Sequence, residues 1–231
     1  MFRFKQFRVN DDRCAMKIGT DGVLLGAWAD VKGAKKVLDV GTGSGLIGLM
    51  IAQRNEDARI IGIDIDGGAL VQAKENVGAS PWVDRIDVME CDFNHPDELS
   101  QMEFDLIVSN PPFYTADTHS DDSQRDLARN AASLPLANLM KNIGNLMSQK
   151  GLLSIVLPSE AAEIAIGEAA INSLFLTRRC VVYSRPDKHP KRILLEFARH
   201  IQPTEHDEIT ICQNDGAYSN EFIKLTRDFY L

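Results

Sequence analysis

Hydrophobic positions along the middle of the chain follow two patterns in turn. Short apolar runs rich in β-branched residues alternate with segments whose apolar residues recur at helical spacing. This alternation is typical of a parallel sheet with helical crossovers. The apolar runs predict strands at Val37–Val40, Arg59–Ile65, Ile86–Glu90, Phe104–Ser109 and Leu152–Leu157. The helical segments lie at Leu46–Arg54, Gly68–Val77, Leu136–Met147 and Ala161–Leu174.

The two ends of the chain add further elements to this core. They are strands at Cys180–Tyr183, Ile193–Arg199 and Glu208–Cys212, an amphipathic segment at Asn220–Tyr230 and a short helix at Gly22–Ala29. The first two of these strands have little sequence between them, which favours an antiparallel hairpin. We therefore expect an α/β fold with a mostly parallel seven-stranded sheet and helices on both faces. Residues 1–231 would form a single domain, with residues 1–30 as a lead-in.

Composition narrows the class of protein. A hydrophobic fraction of 44% and a charged fraction of 25% are those of a soluble globular chain. No apolar run approaches the roughly 20 residues that span a membrane, so we expect no membrane partner. The cysteines lie far apart and form no Cys-x-x-Cys pair, which argues against a metal site and fits a reducing cytosol. They are Cys14, Cys91, Cys180 and Cys212.

Charge is unevenly distributed. The net charge of −8 disfavours a polyanionic partner, yet two segments are basic: one near the N-terminus and one around the predicted hairpin. Either these are ordinary solvated charges, or they contact phosphates along one rim. The polar loop between the hairpin strands is the best candidate for contacts with a nucleic-acid backbone. Its basic residues are Arg185, Lys188, Lys191 and Arg192. Nothing in the sequence calls for a protein partner.

A glycine-rich turn follows the first core strand and opens a helix, in the order Asp39-x-Gly41-x-Gly43-x-Gly45. Glycines there let a ligand approach bare backbone, and free N–H groups at a helix start attract anionic groups. One alternative is a dinucleotide, because residues 43–48 match Gly-x-Gly-x-x-Gly, although that turn normally begins at the strand end. Another is a turn that only packs helix on strand. The full pattern, however, resembles the S-adenosylmethionine (SAM) motif of class I methyltransferases, which implies a Rossmann-like fold and SAM as cofactor.

Other acidic residues are expected around the same cofactor. Asp64 ends the second strand about 20 residues beyond the glycines, where a carboxylate can accept hydrogen bonds from a ribose diol; Asp66 is the alternative. The resemblance implies that Asp92 meets the adenine ring, unless it only caps a turn. It also places Thr20 and Asp21, in a turn after Gly19, near the methionine end. Alternatively, Asp21 caps the helix that follows.

A second turn, Asn110-Pro111-Pro112-Phe113, follows the fourth strand. The prolines rigidify the backbone and force Asn110 to be extended, at the sheet edge where the glycine turn also lies. The turn resembles the (Asn/Asp)-Pro-Pro-(Tyr/Phe/Trp) motif of methyltransferases that modify planar nitrogens. That resemblance implies that Asn110 and the Pro111 carbonyl accept both amine hydrogens, beside the cofactor, while Phe113 stacks on the ring. The alternative is a structural turn with a core phenylalanine.

Three substrate classes share this motif: adenine N6, guanine N2 and the glutamine side chain of release factors. The lead-in Phe4-Lys5-Gln6-Phe7, with the segment 17–28, is similar to that of the bacterial tRNA(Val) adenine-N6-methyltransferases. The resemblance implies tRNA as partner and the adenine 3′ of the anticodon as target. The long polar stretch Tyr114–Ala131 is expected to be a lid over the nucleotide or a disordered segment.

Overall fold

The computed structural model describes residues 1–112 and 134–230. In this part of the chain the strands are β1 (Phe2–Arg3), β2 (Arg8–Val9), β3 (Lys36–Val40), β4 (Arg59–Asp64), β5 (Ile86–Glu90), β6 (Phe104–Ser109), β7 (Met147–Pro158), β8 (Phe175–Tyr183), β9 (Arg192–Ala198) and β10 (Glu205–Thr210). The α-helices are α1 (Thr20–Trp28), α2 (Leu46–Arg54), α3 (Gly67–Gly78), α4 (Leu136–Leu146), α5 (Ala162–Ile171) and α6 (Asn220–Thr226).

The main sheet is mostly parallel. Its described strands run in the order β10-β8-β9-β7-β6-β3-β4-β5. β9 is antiparallel to both of its neighbours, and the other described pairs are parallel. The expected α/β fold with an antiparallel hairpin near the C-terminus is thereby confirmed. The sheet has one strand more than the expected seven, because the tail strand β10 joins its edge beside β8.

Helices cover both faces of the sheet. On one face α1 and α2 pack with the lead-in and α6 into a single apolar cluster, in which Leu25 and Met50 are fully buried. On the other face α4 and α5 form a second cluster around Leu139 and Ile143. Neighbouring residues of β3 point into different clusters, Val37 into the first and Leu38 into the second. Burial on both faces explains why the parallel strands have continuous apolar runs rather than alternating ones.

The strand register brings the ends of the central strands to one edge. Val40, the last residue of β3, pairs with Ser109 of β6 on one side and with Ile63 of β4 on the other. The chain segments that follow these strands therefore leave the sheet side by side. Adjacent strands lie about 4.8 Å apart, so the turns after β3, β4 and β6 share a small volume.

The lead-in packs against the C-terminal segment before it reaches that edge. β1 and β2 form a short antiparallel ribbon. The Lys5 amide donates to the Phe229 carbonyl at 2.8 Å, and the ring of Phe4 stacks on Tyr230 at 6.0 Å between centroids. After β2 the backbone runs along α3 and turns into α1.

Candidate active site

A cavity of about 520 Å³ opens at the carboxyl edge of the sheet. Most of its lining comes from the lead-in (14–19), the glycine turn (41–44), the end of β4 (64–66), the segment after β5 (91–94) and the turn after β6. Single residues of α1 and α3, two residues of α2 and Leu134 are also part of the lining. Its volume lies within the range of about 300–1,000 Å³ that is usual for sites of small ligands. The cavity is therefore large enough for a nucleoside-sized cofactor.

The glycine turn has a backbone that only glycine adopts without strain. Gly41, Gly43 and Gly45 have φ angles of +70°, +56° and +81°. In this left-handed region an L side chain costs about 1–2 kcal/mol. Gly45 is also the N-cap of α2, so the turn delivers its amides directly to a helix start. The spacing of the three glycines is thus explained by the conformation of the turn.

Asp39 lies underneath this turn rather than in the cavity. It has no solvent exposure, and its Oδ2 accepts hydrogen bonds from the Thr42 hydroxyl at 2.7 Å and the Gly48 amide at 3.2 Å. Within the described residues Asp39 supports the turn from a buried strand, and a direct contact of Asp39 with the cofactor stays a prediction.

Burial raises the pKa of Asp39 to about 6. Among the described residues, its Oδ1 has no hydrogen-bond partner. At neutral pH the group is mostly ionised, so a negative charge with little compensation lies just below the cavity. This favours a ligand that carries positive charge, as SAM does on its sulfonium and ammonium groups. The residues present therefore fit that cofactor.

Asp64 is positioned by the glycine turn itself. Its Oδ2 accepts the Gly43 amide at 2.8 Å and its Oδ1 accepts the Asp66 amide at 3.0 Å. Each carboxylate oxygen can accept a further hydrogen bond, so the group retains capacity for a diol. The Asp66 side chain already has a structural role, because Asp66 is the N-cap of α3 and accepts a hydrogen bond from the Gly68 amide at 2.8 Å. Both line the cavity, and Asp64 is the better placed to bind a ribose.

Asp92 lies in the segment after β5. Its Oδ1 accepts hydrogen bonds from the amide and the side chain of Asn94 at 2.9 and 3.1 Å. The backbone hydrogen bond from Asn94 is the main cause that lowers the pKa of Asp92, so the carboxylate is ionised. Asp92 thus stabilises a turn and also lies at the cavity, which Asp92 and Phe93 both line. Asn142 of α4 anchors the segment by donating to the Phe93 carbonyl at 2.7 Å.

The turn after β6 is locked to the glycine turn. The hydroxyl of Ser109, which is fully buried, donates to the Val40 carbonyl at 3.0 Å. Asn110 and Pro112 line the cavity, and Pro111 is buried between them. The amide of Asn110 is therefore at the same edge as Gly43 and Asp64, as the sequence predicted. Phe113 and the stretch 114–131 lie outside the described residues.

Thr20 and Asp21 are placed differently from the expected turn, and a role for either near the methionine end of SAM stays a prediction. They belong to the first turn of α1 rather than to a turn before it, and neither lines the cavity; Gly19 and Gly22 do. Asp21 does not cap the helix either, since Gly19 is the N-cap. Its Oδ2 accepts a hydrogen bond from Nε of Arg192 at 2.7 Å instead.

The basic loop between β8 and β9 is exposed. Arg185, Lys188 and Lys191 are all solvent-accessible. Arg192, at the start of β9, is partly exposed and paired with Asp21. Lys188 also has a carboxylate neighbour, because its ammonium lies 3.4 Å from Oδ2 of the exposed Asp187.

Sequence reasoning missed the cavity wall that the lead-in supplies, residues 14–18. No motif marks it, because its place depends on packing against α3. Among its residues, Cys14 is buried, and burial together with the charge of Asp64 raises the pKa of its thiol to about 11. Burial and Glu98 raise the pKa of Cys91, which also lines the cavity, to about 11. Both thiols stay protonated at neutral pH and are poor nucleophiles.

Neither a metal-binding cluster nor a membrane-spanning helix is found in the described part of the chain. Residues 1–112 and 134–230 contain no group of three or more side chains that could hold a metal ion. None of the helices in those residues is long and apolar enough to cross a membrane.

The family model described as the methyltransferase small domain matches residues 17–160. A protein of Phocaeicola vulgatus is 45% identical over 230 residues, which cover 100% of this chain and 97% of the relative. A protein of Bacteroides thetaiotaomicron is 44% identical, with coverage of 100% and 97%. A protein of Pasteurella multocida is 42% identical, with coverage of 100% and 96%. All three are named tRNA1(Val) (adenine(37)-N6)-methyltransferase.

Solved structures share the fold. A predicted O-methyltransferase of Agrobacterium tumefaciens superimposes with a TM-score of 0.68 at 17% identity, over 90% of this chain and 96% of that one. A TehB-like SAM-dependent methyltransferase from Corynebacterium glutamicum has a TM-score of 0.52 at 20% identity, over 80% and 90%. These likenesses show the fold alone, that of class I methyltransferases. The family-model match and the full-length similarity to curated relatives go further: this chain belongs to the methyltransferase small domain family and to the family of the tRNA1(Val) (adenine(37)-N6)-methyltransferases.

Proposed function

We propose that this chain transfers a methyl group from SAM to the exocyclic N6 of an adenine in tRNA, the adenine immediately 3′ of the anticodon of tRNA1(Val). The observation that carries the proposal is that the glycine turn and Asn110 line one cavity. The full-length relatives carry the name of this reaction. We further propose that residues 1–231 act as one domain, with residues 1–30 as its lead-in, in the cytoplasm.

SAM would be held by backbone and acidic groups already in place. The turn containing Gly41, Gly43 and Gly45 offers amides at a helix start, and Asp64 offers acceptor capacity for the ribose. Asp92, which lines the same cavity, would meet the adenine ring of the cofactor. When bound, SAM supplies an activated methyl group on a sulfonium leaving group.

Asn110 and Pro111 act on the target amine. An exocyclic amine is a poor nucleophile, because its lone pair is delocalised into the ring. The side-chain oxygen of Asn110 and the carbonyl of Pro111 each accept one N–H, which turns the lone pair out of conjugation and orients it. Pro112 keeps the corner rigid, and Phe113 stacks on the target base, worth about 1–3 kcal/mol. Alignment of this kind contributes up to roughly 7–11 kcal/mol to lowering a barrier.

Phosphate contacts come from the basic loop between β8 and β9. Arg185, Lys188 and Lys191 are exposed where a tRNA backbone can reach them. Lys188 and Arg192 exchange their carboxylate partners, Asp187 and Asp21, for phosphates. An exposed ion pair of this type is worth only about 0–1 kcal/mol, so the exchange costs little. A local cluster of cations offsets the net charge of −8 where the tRNA approaches.

Methyl transfer to defined acceptors tests the proposal. Purified protein is incubated with labelled SAM and, separately, with total tRNA, total rRNA and a release factor, followed by nucleoside or peptide identification. We expect N6-methyladenosine in tRNA1(Val) alone. Label in rRNA guanosine or in a release-factor glutamine would overturn the substrate assignment, and label in none of the acceptors would overturn the activity.

An Asn110→Ala variant tests the role of the second turn. Because Asn110 acts on the target amine, we expect methyl transfer to fall by at least about 100-fold, the scale on which oriented hydrogen-bonding groups act. SAM affinity, measured by calorimetry, should change far less. Asn214→Ala, an exposed asparagine of a distant turn, is the matched control and should retain full activity. Equal activity of both variants contradicts the role given to Asn110.

A further inference from the structure

One wall of the cavity is built by residues 10–18 of the lead-in, which we call the strap. The strap leaves the ribbon after β2, crosses over α3 and ends before α1. Cys14–Ile18 of the strap line the cavity together with the glycine turn and Asp64–Asp66. Met16 and Lys17 are exposed on their outer side. A ligand between these walls would therefore be enclosed by a segment that packs on α3 rather than on the sheet.

Asn76 of α3 ties the strap to the glycine turn. Its Oδ1 accepts the Asn10 amide at 2.9 Å, and its Nδ2 donates to the Asn10 carbonyl at 2.8 Å. The same Nδ2 donates to the Ser44 carbonyl at 2.8 Å. Asn76 is 3% exposed; its bond to Ser44 is buried, and its two bonds to Asn10 are partly buried. One side-chain amide thus ties the start of the strap to the glycine turn.

Gly68 allows the strap to lie against the start of α3. A Cβ on Gly68 would come within 2.9 Å of the Arg13 carbonyl oxygen, a distance at which the backbone must shift. Arg13 is further held by an ion pair with Glu75 at 2.8 Å and by a long hydrogen bond from its amide to Gln72 at 3.4 Å. The contacts between strap and helix therefore continue for several turns of α3.

The strap is also braced internally. The carboxylate of Asp11 accepts the Ile18 amide at 2.9 Å, and the Lys17 ammonium donates to the Asp11 carbonyl at 2.7 Å. These bonds close the segment into a loop whose two ends are connected. A loop of this kind moves as a unit, so loosening its attachment to α3 displaces the whole wall.

We propose that Asn76 and Gly68 are positioning residues that keep the strap closed on the cofactor site, so that lifting of the strap limits cofactor release. The inference rests on the proposed function, because it takes SAM as the ligand of the cavity. Cofactor retention then depends on α3. Asn76 and Gly68 of this helix act through the strap and do not contact the ligand. Disrupting either residue speeds release without removing any group that touches the cofactor.

A pair of glycine variants separates this role from a purely structural one. Gly68→Ala pushes on the Arg13 carbonyl, whereas Gly67→Ala, one residue earlier in the same helix turn, adds a Cβ with no atom within 4 Å. Both replace a helical glycine by a better helix former, which in Gly68→Ala offsets part of the cost of the clash, and thermal unfolding checks that both variants are folded. We expect Gly68→Ala to release labelled SAM about tenfold faster, with amide hydrogen exchange in residues 10–18 accelerated. Gly67→Ala should match the unmodified protein in both readouts.

A second pair tests the tie itself. Asn76→Ala removes three hydrogen bonds and should weaken SAM binding in calorimetry by about tenfold or more. The Asn10→Ala variant retains these hydrogen bonds, because Asn76 contacts Asn10 through the Asn10 backbone. The SAM affinity of this variant should be unchanged. If Gly68→Ala and Asn76→Ala both bind and release SAM as the unmodified protein does, the strap proposal is wrong while the proposed function stands. If the unmodified protein fails to bind SAM, the proposed function itself fails.

Discussion

Asp39 is a carboxylate without solvent exposure, held under the glycine turn by Thr42 and Gly48. Burial raises its pKa from the usual 3.8 to about 6, which means that the folded chain binds this proton more tightly than the unfolded chain does. The stabilising contribution is therefore fully present below pH 3.8 and is lost as the pH rises through about 6. Asp39 supports the glycine turn, yet it lowers the free energy of unfolding at neutral pH.

Asp39→Asn tests this cost. The amide retains an oxygen for Thr42 and Gly48 but cannot ionise, so the free energy of unfolding should lose a pH-dependent term of up to about 3 kcal/mol. Urea unfolding at about pH 5 and about pH 7.5 should show a drop for the unmodified protein and a flatter profile for the variant. Asp57→Asn, at an exposed position, serves as the control. An unchanged pH profile in Asp39→Asn would show that another group causes the drop.

Individual elements differ in how far the sequence could predict them. The helix Leu46–Arg54 and the strands Ile86–Glu90 and Phe104–Ser109 have the predicted bounds, because local signals mark their ends. β7 begins at Met147, five residues before the predicted start at Leu152, because Met147 already pairs with Phe104 of β6. The register then shifts before the pair of Leu152 with Leu106, and the polar residues 148–151 in between have no strand periodicity that could predict the early start.

The same distinction holds for the candidate site. The two turns were recognisable, since each is a contiguous motif whose backbone conformation demands its residues. The strap was not, because its position follows from contacts with Asn76 and Gly68, more than fifty residues further along the chain. The pairing of Asp21 with Arg192 joins positions 171 residues apart and likewise has no local signal. Tertiary packing, rather than local propensity, determined these parts.

The contact between α1 and β9 leads to a prediction about tRNA. If Arg192 exchanges Asp21 for a phosphate, Arg192→Ala removes one phosphate contact and reduces the slope of log affinity against log salt by about one. Arg179→Ala is the control, since Arg179 forms an ion pair with Glu163 at 3.2 Å on α5, outside the cavity lining. Filter binding of tRNA over a salt series measures both slopes. Equal slopes for Arg192→Ala and the unmodified protein would remove Arg192 from the interface.

On the scale of the whole molecule, the two ends of the chain stabilise each other next to the strap. Phe4 is 5% exposed and stacks between Phe7 at 4.7 Å and Tyr230 at 6.0 Å, while the Lys5 amide bonds the Phe229 carbonyl. Since the strap starts one residue after β2, the ribbon is its N-terminal anchor. Stability at the chain ends and cofactor retention should therefore be coupled.

Phe4→Ala tests that coupling. Removing a buried phenylalanine costs about 3–5 kcal/mol, which urea unfolding should detect as a lower midpoint. Because the ribbon anchors the strap, the variant should also release SAM faster at temperatures where it remains folded, with faster hydrogen exchange in residues 10–18. Phe2→Ala, on the same ribbon but 45% exposed, should change stability by less than about 0.5 kcal/mol and leave release unchanged. A Phe4→Ala protein that is destabilised yet releases SAM at the normal rate would mean that α3 alone holds the strap, and that the chain ends contribute only to folding.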